Sequence, residues 1–197
     1  IAHDVIPADW HAQWVSVGGD LVEASLWSPA LAPEGRGRSC LLLDEAGAAH
    51  ALSSPEGMAA NTPAERVEVA PLGAFIAEAD PAVIRSGLLG RLADKTGAGI
   101  VSDKIAYLTG DDLPDNPFYD RFEVLEVTNL RAKAISAALT SRDAGSVEIK
   151  KRGADINPDE LRKSLKLGGG SAQLTVIATR LAGRHRAIIC KRLPKNL

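Results

Sequence analysis

The 197-residue sequence predicts an α+β protein in three stretches: an N-terminal antiparallel β meander over 1–72, a helical linking region over 73–120, and a C-terminal β-α-β-α-β-β module over 121–197. Three observations predict it. The early chain alternates apolar and polar residues between glycine and proline turns. A helix start at Asp80-Pro81 opens the middle. From Arg121 onward, strand-like and helix-like periodicities follow one another in regular order.

Gln13–Val17 and Asp20–Trp27 flank Gly18-Gly19, the pattern of a hairpin. Ser28–Gly37 is a loop. Arg38–Leu43 and Ala48–Leu52 then pair across the Glu45-Ala46-Gly47 turn, and Ser53–Glu65 is a second loop. In the linking region Ile84, Leu88 and Leu92 recur at four-residue spacing, which predicts one amphipathic helix from Pro81 to about Gly97. Ile100-Val101 and Ala106–Leu108 are short strand candidates, and Gly110–Pro117 is an acidic loop. In the module, Phe122–Val127, Ser146–Lys151, Leu174–Leu181 and His185–Arg192 read as strands. Leu130, Ala134, Ile135, Ala138 and Leu139 form one helix face. Asn157-Pro158-Asp159-Glu160 starts a second helix with a cap, a proline and two acids at the positive end of the dipole. Gly168–Gly170 stops it.

Composition is ordinary, with 45% hydrophobic and 24% charged residues. With few aromatic residues, the core must come from Leu, Ile, Val and Ala. No apolar run approaches the roughly 18–20 residues needed to span a bilayer, and no secretory signal is visible. Two cysteines, Cys40 and Cys190, fit a reducing cytoplasm and supply neither a disulfide framework nor a metal cluster. The chain begins at Ile1 rather than Met, so missing N-terminal sequence is expected.

Charge is distributed unevenly. Residues 1–75 hold three arginines against ten acids, whereas residues 145–197 hold twelve basic residues against four acids. Such asymmetry points to a polyanion partner for the C-terminal end. The candidate phosphate contacts are Lys150, Lys151, Arg152, Arg162, Lys166, Arg184 and Arg186. Cationic side chains neutralise phosphates and release counterions without sequence choice. Strand alternation puts Lys150 and Arg152 on one side and Lys151 on the other. No Phe, Tyr or Trp follows Phe122, so an RNA would be gripped by backbone or shape rather than by base stacking. Gly153 and Gly168–Gly170 are turns and a helix stop, or points where a nucleic-acid backbone comes close.

Other motifs carry less. Val17-Gly18-Gly19-Asp20 lies between two strands and is a hairpin, not a nucleotide loop. Gly168-Gly169-Gly170-Ser171 lacks the lysine of a phosphate-binding loop. Asp115-Asn116-Pro117-Phe118-Tyr119 resembles the Asn-Pro-Pro-Tyr motif of amino-group methyltransferases without its second proline, and an acidic turn explains it. The four histidines lack metal-ligand spacing. No catalytic residue, metal or cofactor ligand is nominated.

Val147–Ile156, Pro158, Leu161-Arg162 and Leu174–Arg180 resemble the C-terminal THUMP-like domain of bacterial class I S-adenosylmethionine-dependent methyltransferases. Asp80–Arg85 and Ala106–Asp111 are similar to the linking region of those proteins. His3-Asp4, Trp14–Ser16 and Asp20–Glu23 are similar to the tail of their catalytic domain. The resemblance implies that 1–72 holds the last strands of a Rossmann-like catalytic fold, 73–120 the linker and 121–197 the THUMP-like domain. It implies S-adenosylmethionine as cofactor of the full-length protein but not of this chain alone. The implied partners are RNA, tRNA included, and the missing N-terminal catalytic segment. The alternative is a scaffold whose basic surface meets the acidic half or the catalytic domain without nucleic acid.

Overall fold

Gly18 and Gly19 both take positive φ, 56° and 88°, which only a primed turn requires, so β1 (His11–Val17) and β2 (Asp20–Trp27) close as a tight hairpin. The computed structural model describes residues 1–195. β3 (Gly37–Leu43) and β4 (Ala49–Ser53) complete a four-stranded sheet in the order β2-β1-β3-β4. The expected antiparallel meander is corrected here, because β1 and β3 run parallel. Burial explains the choice. Cys40 and Leu42 on β3 extend the apolar face begun by Ala12 and Trp14, whereas β2 is exposed along nearly its whole length.

The linking region is only half helical. Its strands are β5 (Phe75–Ala79), β6 (Gly99–Ser102) and β7 (Ile105–Gly110). The single helix expected between Pro81 and Gly97 is two, α1 (Pro81–Arg85) and α2 (Leu89–Thr96). Asp80 caps α1 by accepting the Ala82 N–H at 2.7 Å. The break falls at Gly87, whose φ is +70°, and a β-carbon there would lie 2.6 Å from the His3 ring. Val83, Leu88 and Leu92 pack the helices onto Trp14, Cys40 and Leu52.

The module follows the expected order: β8 (Tyr119–Asn129), α3 (Ala132–Thr140), β9 (Ala144–Lys151), α4 (Pro158–Ser164), β10 (Ala172–Leu181) and β11 (Arg184–Arg192). Asn157 caps α4 by accepting the N–H groups of Asp159 and Glu160. The helix ends at Ser164, with Leu165 already extended, so the glycines do not stop it. They fold back instead against the α3–β9 turn: a β-carbon on Gly145 would lie 1.9 Å from the Gly170 carbonyl oxygen.

Linker and module share one seven-stranded sheet, β6-β7-β5-β8-β11-β10-β9, with β9 and β10 parallel and the other pairs antiparallel. α3 and α4 cover one face through Ile135, Leu139, Val147, Ile149 and Val176. The opposite face gathers Ile76, Tyr107, Phe122, Ile177 and Ile188. This face is concave. In a flat sheet β5 and β9 would stand about 19 Å apart, four strand spacings, yet Lys150 on β9 reaches Glu78 on β5 at 2.6 Å. At the same seam, a β-carbon on Gly153 would lie 2.3 Å from Ile105 Cδ1. The close approach at Gly153 is thus made by the protein's own β7. No described helix is long and apolar enough to cross a membrane.

Candidate nucleic-acid interface

Strand alternation on β9 sends Glu148 and Lys150 into the concave face, and Arg152 follows them just past the strand end. There they join a chain of alternating charge. Arg152 meets Glu78 at 3.4 Å, and Glu78 meets Lys150 at 2.6 Å. Lys150 meets Glu148 at 3.5 Å, and Glu148 meets Arg192 at 3.0 Å. Arg192 meets Asp120 at 2.5 Å, and Asp120 meets Lys195 at 3.3 Å. Aromatic rings lie beneath these cations: Arg192 stands 4.9 Å and Lys150 5.9 Å from the Phe122 ring centre, and Arg152 5.5 Å from that of Tyr107.

The chain tunes its members. Burial alone would raise the Asp120 carboxyl, but the hydrogen bond and charge of Arg192, with Lys195, hold it below the usual carboxylate range. Glu148 behaves alike: burial pushes up, and Arg192 and Lys150 outweigh it. Arg192 in turn is raised, its burial offset by Glu148 and Asp120. Depressed folded-state carboxyls contribute stability that is complete above their unfolded values, about 3.9–4.3. That stability is lost as pH falls through the lower folded values. Acid titration followed by circular dichroism is therefore expected to show D120N losing less stability than the parent between pH 5 and pH 2. Parallel curves would remove the ion chain from the pH response.

The seven predicted phosphate contacts fall into separate environments. Lys150 and Arg152 face the same side, as alternation predicts, and both engage Glu78. Lys151 points to the other side and donates to the Ile156 carbonyl at 2.7 Å. Arg162 donates to the Val147 carbonyl at 2.6 Å, covering an acceptor of the sheet-edge strand β9. Lys166 is exposed beyond α4. Arg184 and Arg186 sit on the β10–β11 hairpin, where Arg186 donates to Asn129 Oδ1. The structure does not bring all seven onto one surface.

A smaller group gathers around the hairpin end of the sheet, two cations on each face. Register places Lys151 opposite Ala178 and Arg180 opposite His185, so Lys151 and Arg180 share the helix-bearing face at the hairpin end of the sheet. Arg184 and Arg186 project from the other face at that end, in line with Ile188. Among the described residues none of these four has a carboxylate partner. Arg180 belongs to the basic cluster around the final hairpin in the sequence but not to the seven predicted phosphate contacts; its place one strand over from Lys151 follows from the register. Glu78, Asp120 and Glu148, the acids that engage the inner cations, were missed. The remaining motifs are structural: Asn116 Oδ1 accepts the Phe118 N–H within a turn, and His11 and His50 bond to neighbouring loops and strands. Cys40 and Cys190 are buried and unpaired, and burial pushes the Cys40 thiol up to about 12. Among the described residues no three or more of His, Cys, Asp and Glu cluster as a metal site would require.

Fold and site together define a mixed α+β protein in which a helix-backed module presents cations at one end of a curled sheet. Residues 120–192 match the family described as THUMP domain-like. Over 167 residues the chain is 36% identical to an uncharacterized S-adenosylmethionine-dependent methyltransferase of Mycobacterium tuberculosis strain H37Rv, and equally to one of strain CDC 1551. The alignment covers 85% of this chain and 43% of each relative. The fold is similar to the crystal structure of an inferred methyltransferase of Porphyromonas gingivalis W83, with TM-score 0.69 at 15% identity, over 96% of this chain and 47% of that one. The chain carries a THUMP-like domain and is homologous to part of the S-adenosylmethionine-dependent methyltransferases. It spans less than half the length of the curated relatives it matches.

The described residues do not fit S-adenosylmethionine. Gly18-Gly19 turns between two strands with no helix following, and the Gly168–Gly170 run packs onto Asp143–Gly145. A nucleotide-binding strand, glycine turn and helix unit is absent among them.

Proposed function

We propose that this chain is the C-terminal portion of an S-adenosylmethionine-dependent RNA methyltransferase, and that its THUMP-like module docks the RNA by its phosphates. Chemistry and cofactor binding belong, on this reading, to the catalytic segment carried by the longer relatives. One observation supports docking above all. The cations at the hairpin end, Lys151, Arg180, Arg184 and Arg186, have no carboxylate partner among the described residues, while those deeper in the concave face are engaged by Glu78, Glu148 and Asp120. Unpaired cations release counterions from a polyphosphate; paired ones must first lose a partner.

Fluorescence anisotropy with labelled tRNA over 50–200 mM salt tests the reading. The quadruple variant K151A/R180A/R184A/R186A is expected to bind at least about tenfold more weakly at 100 mM salt. Its slope of log affinity against log salt should be shallower by about 3. An unchanged affinity and slope would reject RNA docking at the hairpin end. A scaffold role is the second reading, favoured by Lys150 and Arg152 meeting an acid of the linking region. It expects the parent chain to bind tRNA no better than the variant.

A further inference from the structure

A groove of about 580 Å³ separates the N-terminal turn from the module and is lined by Ala2, His3, Pro81, Ile84, Arg85 and Arg152. Its two arginines come from distant elements, the end of α1 and the end of β9. Arg85 is exposed and has no carboxylate partner among the described residues. Arg152 lies 3.4 Å from Glu78, but the closer partner of that carboxylate is Lys150, at 2.6 Å, so Arg152 keeps donors for another acceptor. Asp80, the acid beside Pro81, is engaged in capping α1.

The remaining wall is fixed. His3 Nε2 is 2.9 Å from the Arg85 carbonyl, and its ring meets Trp14 edge-on at 5.5 Å. Pro81, Ile84 and Ala2 supply an apolar lining between the cationic sides. The sheet connects the groove's Arg152 to the hairpin end. The Thr179 hydroxyl donates to the Arg152 carbonyl at 2.9 Å, and Thr179 pairs in register with Arg186. Arg152, Thr179 and Arg186 thus form one row across the concave face.

We infer that this groove is a second phosphodiester site for the RNA held at the hairpin end, with Arg85 and Arg152 as its phosphate contacts. The inference rests on the RNA-docking reading and extends it from the THUMP-like module onto α1. Both contacts are guanidinium groups beside an apolar lining, which suits backbone contact rather than base readout.

The test is the affinity of the full chain for labelled tRNA with Arg85→Glu, Arg85→Lys and, as an exposed control on α3, Lys133→Glu. R85E should bind about five- to twentyfold more weakly with a shallower salt slope, and R85K should stay within threefold of the parent. Arg85 is exposed, so melting should be unchanged; if R85E fails to fold, R85Q replaces it with the same expected direction. If R85E binds like K133E while the hairpin quadruple variant loses affinity, the groove inference falls and RNA docking stands. If neither loses affinity, RNA docking itself falls, and the groove with it.

Discussion

Glu78→Ala is expected to lower the melting temperature of this chain by about 4–12 °C. Glu78 stands between two cations of the module, 2.6 Å from Lys150 and 3.4 Å from Arg152, with side chains of Glu78 and Lys150 only 23% and 19% exposed. Truncating one partner of a mostly buried pair leaves the other charge desolvated without compensation, which costs about 3–5 kcal/mol when burial is complete. Partial exposure here reduces that to about 2–3 kcal/mol, because Lys150 retains Glu148 at 3.5 Å. For a chain of this size each kcal/mol moves the melting temperature by about 2–4 °C. Thermal unfolding followed by circular dichroism reads the effect, and an unshifted transition would mean that Glu78 does not hold β5 to β9.

Phe122→Ala should have the larger effect on stability in denaturant, about 3–5 kcal/mol. Phe122 is fully buried, in register with Ile76 on β5 and Arg192 on β11, so it lies where linker strands and module strands join. Its ring also lies under Arg192 and Lys150. Deletion removes core volume and the surface against which the ion chain is ordered. Phe122→Leu keeps most of the volume and should cost roughly 1–1.5 kcal/mol. Urea titrations of the two variants separate them; equal midpoints would place Phe122 outside the packed core.

The module was legible because each of its elements carries its own signal. β11 carries a continuous apolar run, Ala187–Cys190, between charged ends, β10 is rich in Val, Ile, Leu and Thr, and the Asn157-Pro158 start of α4 is a local chemical statement. β5 was missed because Phe-Ile-Ala-Glu-Ala is five residues long and rich in alanine, a weak strand former; neighbours on both sides hold it in the sheet. The break between α1 and α2 was hidden because Leu88 and Leu92 continue the spacing begun at Ile84, while the left-handed backbone at Gly87 answers to His3, 84 positions earlier.

The candidate site was harder to read for a related reason. Alternation put Lys150 and Arg152 on one side, but whether that side meets solvent or acid depends on the curl of the sheet. The curl brings Glu78 across from four strands away, and no local pattern encodes it. Arg162 and Lys166 share a helix face by spacing, yet Arg162 is turned to the edge of β9 and Lys166 lies past the helix end. Cation counts located the module, while one carboxylate outside residues 120–192, Glu78, helped decide which cations stay free.

Pairing divides the module's cations into those that hold the sheet and those free to meet phosphate, with Arg152, which shares Glu78 with the closer Lys150, between the two. Measuring melting temperature and tRNA affinity side by side for Lys150→Met and for the hairpin quadruple variant tests this most directly. K150M should melt earlier yet bind tRNA within twofold of the parent, and the quadruple variant should melt as the parent does while losing at least about tenfold in affinity. The reverse pattern, weakened tRNA binding in K150M and an unaffected quadruple variant, would contradict the division.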